Sequence, residues 1–202
     1  MPLARVCFAY AFPTAGEPGA AAARLLPHVL GAIAPSAAAR AEPLNAHGKL
    51  ARDLAEQGAV AALRPFYAPH ADAALFGLEF EAPDVRLEDA TYYAAANLVR
   101  LTRDVTEPEV ARAKLAFRKA LAADLASPAA ACAALGRSVQ LLGAPQSPAE
   151  LLADVDAVTV DDVKRLCYDH VHDCDHALAA IGPVHELPDY NWLRTACYDY
   201  AF

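Results

Sequence analysis

Over residues 5–12 the side chains alternate, with Val6, Phe8, Tyr10 and Phe12 on one side and Cys7, Ala9 and Ala11 on the other. That is the period of a half-buried strand. Residues 13–19 form a turn, and the period then changes. Over 20–33, Leu26, Leu30 and Ile33 fall on one side of a helix that Pro27 is expected to kink. The Pro/Ala stretch 34–46 has no period and is expected to be a surface loop. Leu50 and Leu54 mark a short amphipathic helix over 48–57, with Gly58 placed to close it. Two strand-like runs follow, 59–67 and 73–81, joined by Ala68-Pro69-His70-Ala71-Asp72. In the second run Phe76, Leu78 and Phe80 oppose Leu75, Gly77, Glu79 and Glu81, as in an antiparallel hairpin with one wet side.

From there the chain turns helical, and its caps are legible. Leu87, Ala94, Leu98 and Leu101 share a stripe over 87–103. Thr106-Glu107-Pro108-Glu109 is a capping box, and the helix it opens aligns Val110, Phe117, Leu121 and Leu125 as far as residue 126. Ser127-Pro128 opens a helix ending at Gly143, Ser147-Pro148-Ala149-Glu150 is a second capping box, and Thr159 with Asp162 opens a helix to about His172. A short apolar strand over 177–181 stops at Gly182-Pro183, and a last helix covers 189–198. The order β-α-α-β-β, several helices, one more strand and a terminal helix predicts an α+β fold. Its mixed or antiparallel sheet is covered by helices on one face. No linker, repeat or second core is evident, so residues 1–202 are expected to form one domain.

Composition narrows the function classes. With 56% hydrophobic residues in a chain of 202, a buried core is assured. About a quarter of the residues are alanine, so much of that apolar content is small side chains suited to helices and close packing. No run approaches the roughly 20 apolar residues of a membrane helix, since Arg24, Pro27 and His28 interrupt the richest one. A net charge of -8 argues against a nucleic-acid binder, which would carry a basic face. The five cysteines, Cys7, Cys132, Cys167, Cys174 and Cys197, are odd in number and form no CxxC pair, which suits a reducing compartment. No secretory signal or transit peptide is evident at the first residues.

Candidate chemistry is sparse. The run Cys167-Tyr168-Asp169-His170-Val171-His172-Asp173-Cys174-Asp175-His176 holds the ligand types zinc prefers. Its spacing does not suit a tetrahedral site: Cys167 and His170 can share a helix face, but His172 points elsewhere and Cys174 falls at the helix end. The run is therefore expected to be a helix C-terminus whose histidines complement the dipole and whose cysteines pack as small hydrophobes. His185-Glu186 and Asp154, Asp156, Asp161 and Asp162 are the acid–base candidates, and carboxylates near helix starts are expected to be caps. No HxxEH, HExxH, GxSxG or phosphate-binding loop is present. No catalytic, cofactor-binding or metal-binding residue is assigned.

Several short motifs follow one another in a fixed order. They are Leu3-Ala4-Arg5-Val6, Glu109-Val110-Ala111-Arg112-Ala113-Lys114, Gly136-Arg137, Asp154-Val155-Asp156-Ala157-Val158, Ala180-Ile181-Gly182-Pro183, and Leu187-Pro188-Asp189-Tyr190 with Leu193-Arg194. In that order they resemble the C-terminal half of the M16 peptidase-like family that contains the mitochondrial processing peptidase β subunit and core subunit I of respiratory complex III. The Leu187-Pro188-Asp189-Tyr190 run favours the core-subunit branch. The resemblance implies two similar α+β halves in a full-length relative, this chain matching the second, with the zinc-binding HxxEH in the first. It also implies that active relatives carry, in the second half, an Arg and a Tyr that steady the tetrahedral intermediate. Here Lys49-Leu50 stands at their Arg-Leu pair, the Arg position falls near Ala55 and the Tyr position near Ala61 or Ala62. Arg52 and Tyr67 lie too far along the chain to substitute.

The expectation is a non-catalytic structural core subunit of mitochondrial ubiquinol–cytochrome c reductase, with no cofactor, held on the matrix side of the inner membrane. A natural split would supply the first half as a separate chain. The remaining partners are a second, processing-peptidase α-like core subunit and complex III subunits including cytochromes b and c1. A cleaved segment or an internal signal would account for import. The alternative is half of a processing peptidase completed in trans by an HxxEH chain, binding basic presequences through acids such as Glu79, Glu81 and Asp84. A free-standing binding module would need monomeric stability, and the alanine-rich surface makes partners the better expectation.

Overall fold

A computed structural model describes residues 2–34 and 48–199, so the expected loop at 34–46 lies outside the described residues except for Ala34. The chain order is β1 (Ala4–Phe12), α1 (Ala20–Leu30), α2 (Lys49–Gln57), β2 (Ala62–Pro69), β3 (Ala74–Ala82), α3 (Leu87–Leu101), α4 (Glu107–Asp124), α5 (Pro128–Leu142), α6 (Pro148–Ala157), α7 (Val160–His170), β4 (Ala177–Ile181) and α8 (Tyr190–Asp199). The strands form one antiparallel sheet in the order β2-β3-β1-β4.

Strand alternation decides which face is covered. Val6, Phe8, Tyr10 and Phe12 of β1 and Phe76, Leu78 and Phe80 of β3 are buried together against Leu25, Leu26 and Leu30 of α1, Leu98 of α3 and Val163 of α7. Phe12 packs on Phe76 at 4.8 Å between ring centroids, and Phe8 meets Phe80 edge-on at 6.3 Å, both favourable aromatic separations. Strands β1 and β3 come very close at the sheet centre. A β-carbon on Gly77 would lie 2.4 Å from the carbonyl oxygen of Phe8. The opposite face carries Arg5, Arg64, Glu79 and Glu81, joined across strands as Arg5–Glu79, Arg5–Glu81 and Arg64–Glu79.

The caps behave as the sequence predicts. Glu109, Glu150 and Asp162 each return a carboxylate to the N-cap N–H of Thr106, Ser147 and Thr159, and Ser127 Oγ accepts from the N–H of Ala130. Gly58, at φ 58°, ends α2 in the left-handed region.

Boundaries shift where a glycine or a turn intervenes. The helix expected over 20–33 stops at Leu30, because Gly31 adopts φ 80°, a conformation unfavourable for any side chain. Ile33, expected on that helix, instead exchanges backbone hydrogen bonds with Leu63 at 2.9 Å. The helix expected to reach His172 ends at His170, followed by a turn with Asp173 at φ 55°.

Candidate functional site

A cleft of about 800 Å³ opens between α2, α3 and α4. Lys49, Arg52, Arg100, Arg103 and Arg112 line it together with Asp53, Asp104 and Glu109. Its floor is a polar network assembled from three helices. Arg100 Nη2 lies 3.1 Å from Glu109 Oε1, with side chains only 12% and 14% exposed. Arg100 also donates to the Asp104 carbonyl at 3.1 Å and to Asn97 Oδ1 at 3.4 Å. Asn97 Nδ2 donates to Asp53 Oδ2 at 3.3 Å, which ties α2 into the network. Glu109 accepts from both the N–H and the hydroxyl of Thr106 at 3.0 Å.

These contacts set the charge states. Burial pushes the Glu109 carboxyl up, but the Arg100 charge and the Thr106 hydrogen bonds outweigh it and hold the group below its ordinary range. Glu109 is therefore an ion-pair anchor at neutral pH and not a proton donor. Arg112, lowered by burial, donates to the Val29 carbonyl at 3.1 Å and braces α4 against α1. The cleft thus presents oriented cations and a fixed carboxylate, an arrangement suited to bracing helices. The Thr106–Glu109 box was visible in the sequence. Its second role, as partner of Arg100, arises only when α3 and α4 meet.

The residues singled out earlier are dispersed by the fold. Cys167 is fully buried, and burial pushes its thiol well up. His170 Nδ1 lies 3.0 Å from the Ala11 carbonyl oxygen, and His172 stacks on Tyr168 at 4.7 Å. His176 is 7% exposed, stacked on Tyr190 at 4.4 Å, and neither ring nitrogen has a hydrogen-bond partner. Burial pushes its pKa down, as does the nearby Arg194 charge. Among the described residues, no three or more His, Cys, Asp and Glu side chains stand close enough to hold a metal ion. Asp156 pairs with Arg118, Asp162 caps α7 and Asp154 accepts from Gln146 Nε2. His185 and Glu186 are exposed.

The positions compared with active relatives also separate. Lys49 lines the cleft and Leu50 is buried beneath it, whereas Ala55 is exposed on α2 and Ala61 and Ala62 sit where β2 begins. Arg52 lines the cleft. The Tyr67 hydroxyl donates instead to the Pro13 carbonyl at 2.7 Å. Glu79 and Glu81 are engaged by Arg5 and Arg64, and Asp84 accepts from the backbone N–H of Glu186.

Residues 1–117 match the family profile described as "Peptidase M16 inactive domain". The chain belongs to this family. It is 34% identical over 155 residues to the mitochondrial-processing peptidase subunit beta of Blastocladiella emersonii, covering 75% of this chain and 33% of that protein. It is 30% identical over 129 residues to the cytochrome b-c1 complex subunit 1 of Homo sapiens, covering 64% of this chain and 27% of that one. Among solved structures it resembles a chain of "Complex III2 from Candida albicans, Inz-5 bound" with a TM-score of 0.90 and 27% identity, over 98% of this chain and 47% of that chain. The chain therefore spans between about a quarter and a third of the length of these two curated relatives and just under half of the Candida chain. Among the described residues, no helix is long and apolar enough to cross a membrane.

Proposed function

We propose that this chain is a non-catalytic structural subunit of mitochondrial ubiquinol–cytochrome c reductase. In this reading residues 1–202 form one M16 domain, the second half of a core subunit I whose first half is a separate polypeptide. The assembly sits peripherally on the matrix side of the inner membrane, beside a processing-peptidase α-like core subunit and a membrane part that includes cytochromes b and c1. The observation that carries the proposal is the likeness to a complex III chain along 98% of the sequence at a TM-score of 0.90. Two features of the site support it. Alanines stand near both positions where active relatives are expected to offer Arg and Tyr, and of the carboxylates lining the cleft Glu109 is spent on Arg100.

A peptidase reading draws on the higher identity to the Blastocladiella processing subunit, 34% against 30% for the human cytochrome b-c1 subunit. It would need an HxxEH chain in trans to supply about three zinc ligands. The acids proposed to hold basic presequences are weak support, since Glu79 and Glu81 are already paired within the sheet. Affinity purification of the tagged chain from mitochondria, followed by a native gel, decides between the readings. Co-migration with cytochromes b and c1 is expected. A soluble matrix complex that cleaves presequences would overturn the structural role.

A further inference from the structure

The two edges of the sheet are built differently. At β2 the outer edge is occupied or blunted. Leu63 turns its N–H and C=O away from β3 toward Ile33, and antiparallel alternation then points Pro65 and Pro69 outward as well, where no N–H is offered. The same alternation can be carried across the sheet. The even-numbered residues of β2 bond to Gly77, Glu79 and Glu81. Phe76, Leu78 and Phe80 bond to β1, and Arg5, Cys7 and Ala9 bond to Ile181, Ala179 and Ala177. Leu178 and Ala180 are left directing their backbone groups outward. This outer edge, Ala177-Leu178-Ala179-Ala180-Ile181, has no proline, charge or bulge, and Ile181 is 63% exposed. Among the described residues nothing pairs with it. Open edges of this kind are normally blunted or covered.

We propose that β4 is the seam between the two halves: the chain carrying the first half adds an extended strand to this edge. This rests on the split-subunit reading. It commits to that occupant because the Candida chain is matched along 98% of this sequence yet holds more than as much polypeptide again, with only 47% of it covered. The alanines of β4 leave room for larger aliphatic or aromatic side chains on the incoming strand, while main-chain hydrogen bonds supply the pairing.

Amide hydrogen exchange on the native assembly tests the seam. The Leu178 and Ala180 amides are expected to exchange at least about 100-fold more slowly than unprotected amides, because they donate into the added strand. Two tagged variants expressed alongside the endogenous chain give a second measurement. Ala180→Pro removes an outward N–H without touching the β1 ladder, and Ile181→Lys puts a charge on an exposed edge position. Each is expected to recover at least tenfold less of the first-half chain. Should Ala180→Pro fail to accumulate, Ile181→Lys carries the test. Failure of any first-half chain to co-purify with the wild type would refute the split itself. If that chain co-purifies while the two amides exchange freely, or while Ile181→Lys recovers it in full, the seam lies elsewhere and only this inference falls. Cross-links joining β4 to β4 of a second copy would overturn it in favour of a homodimer.

Discussion

Glu109 both caps α4 and neutralises Arg100, so its removal tests whether the cleft braces the helical layer. In Glu109→Ala the Arg100 guanidinium, 12% exposed, loses its anion. Stripping one partner from a fully buried pair costs about 3–5 kcal/mol. Arg100 keeps the Asp104 carbonyl and Asn97 Oδ1 and faces an open cleft, so about 2 kcal/mol is the better figure here. Loss of the carboxylate on the Thr106 N–H adds about 1 kcal/mol. The total, about 3 kcal/mol, corresponds to a fall in Tm of roughly 6–12 °C for a domain of this size. Glu109→Gln keeps an acceptor for Thr106 and should lose about 2 kcal/mol. Thermal unfolding followed by circular dichroism at pH 7, on the purified protein with whatever partner it retains, measures both. Arg100→Leu completes a double-mutant cycle, in which the double variant should lose at least about 1 kcal/mol less than the sum of the single changes. A loss below about 1 kcal/mol for Glu109→Ala, or strict additivity in the cycle, would refute a bracing role.

Other outcomes follow from packing and charge. Gly77→Ala should destabilise by about 3 kcal/mol, since its β-carbon would meet the Phe8 carbonyl oxygen at 2.4 Å in the middle of the sheet; a urea midpoint unchanged from wild type would contradict that approach. Stability should also fall in two stages on acidification. Burial lowers the pKa of His28 and His176, so their contribution is complete above the unfolded value near 6.5 and is lost as pH drops below it. Glu109, held low in the folded state, adds a second loss below about 4.5. His176→Leu should flatten part of the first stage in urea titrations from pH 7.5 to 5, and an unaltered profile would exclude this histidine as a contributor. Cys132 is exposed whereas Cys167 and Cys197 are buried, so a disulfide reagent should label Cys132 rapidly and those two only on unfolding, which peptide mapping would show. Rapid labelling of Cys167 would contradict the packing of α7.

The elements were legible because their signals are local. Period-two alternation placed β1, β2 and β3, and the hydroxyl–carboxylate boxes at Thr106, Ser147 and Thr159 placed three helix starts, each needing only residues within one turn. The errors were local too. Gly31 ended α1 early because a positive-φ residue stops a helix regardless of the apolar residue that follows, and Ile33 then satisfied its backbone on β2. The dispersal of the cysteine–histidine run was foreshadowed by helical spacing. The burial of His176 against Tyr10 and Tyr190 was not, because those rings come from distant parts of the chain.

Sequence alone thus determined the α+β class, most helix ends, the absence of an HxxEH motif and a family likeness spread across short motifs, since propensity, capping and periodicity act over a few residues. Only the tertiary structure decided that Arg100 faces Glu109, that Glu79 and Glu81 are consumed by Arg5 and Arg64, and that β4 rather than β2 keeps an open edge. Each of these depends on which strands and helices become neighbours. That choice is made by burying apolar faces from remote segments together, and no local pattern encodes it.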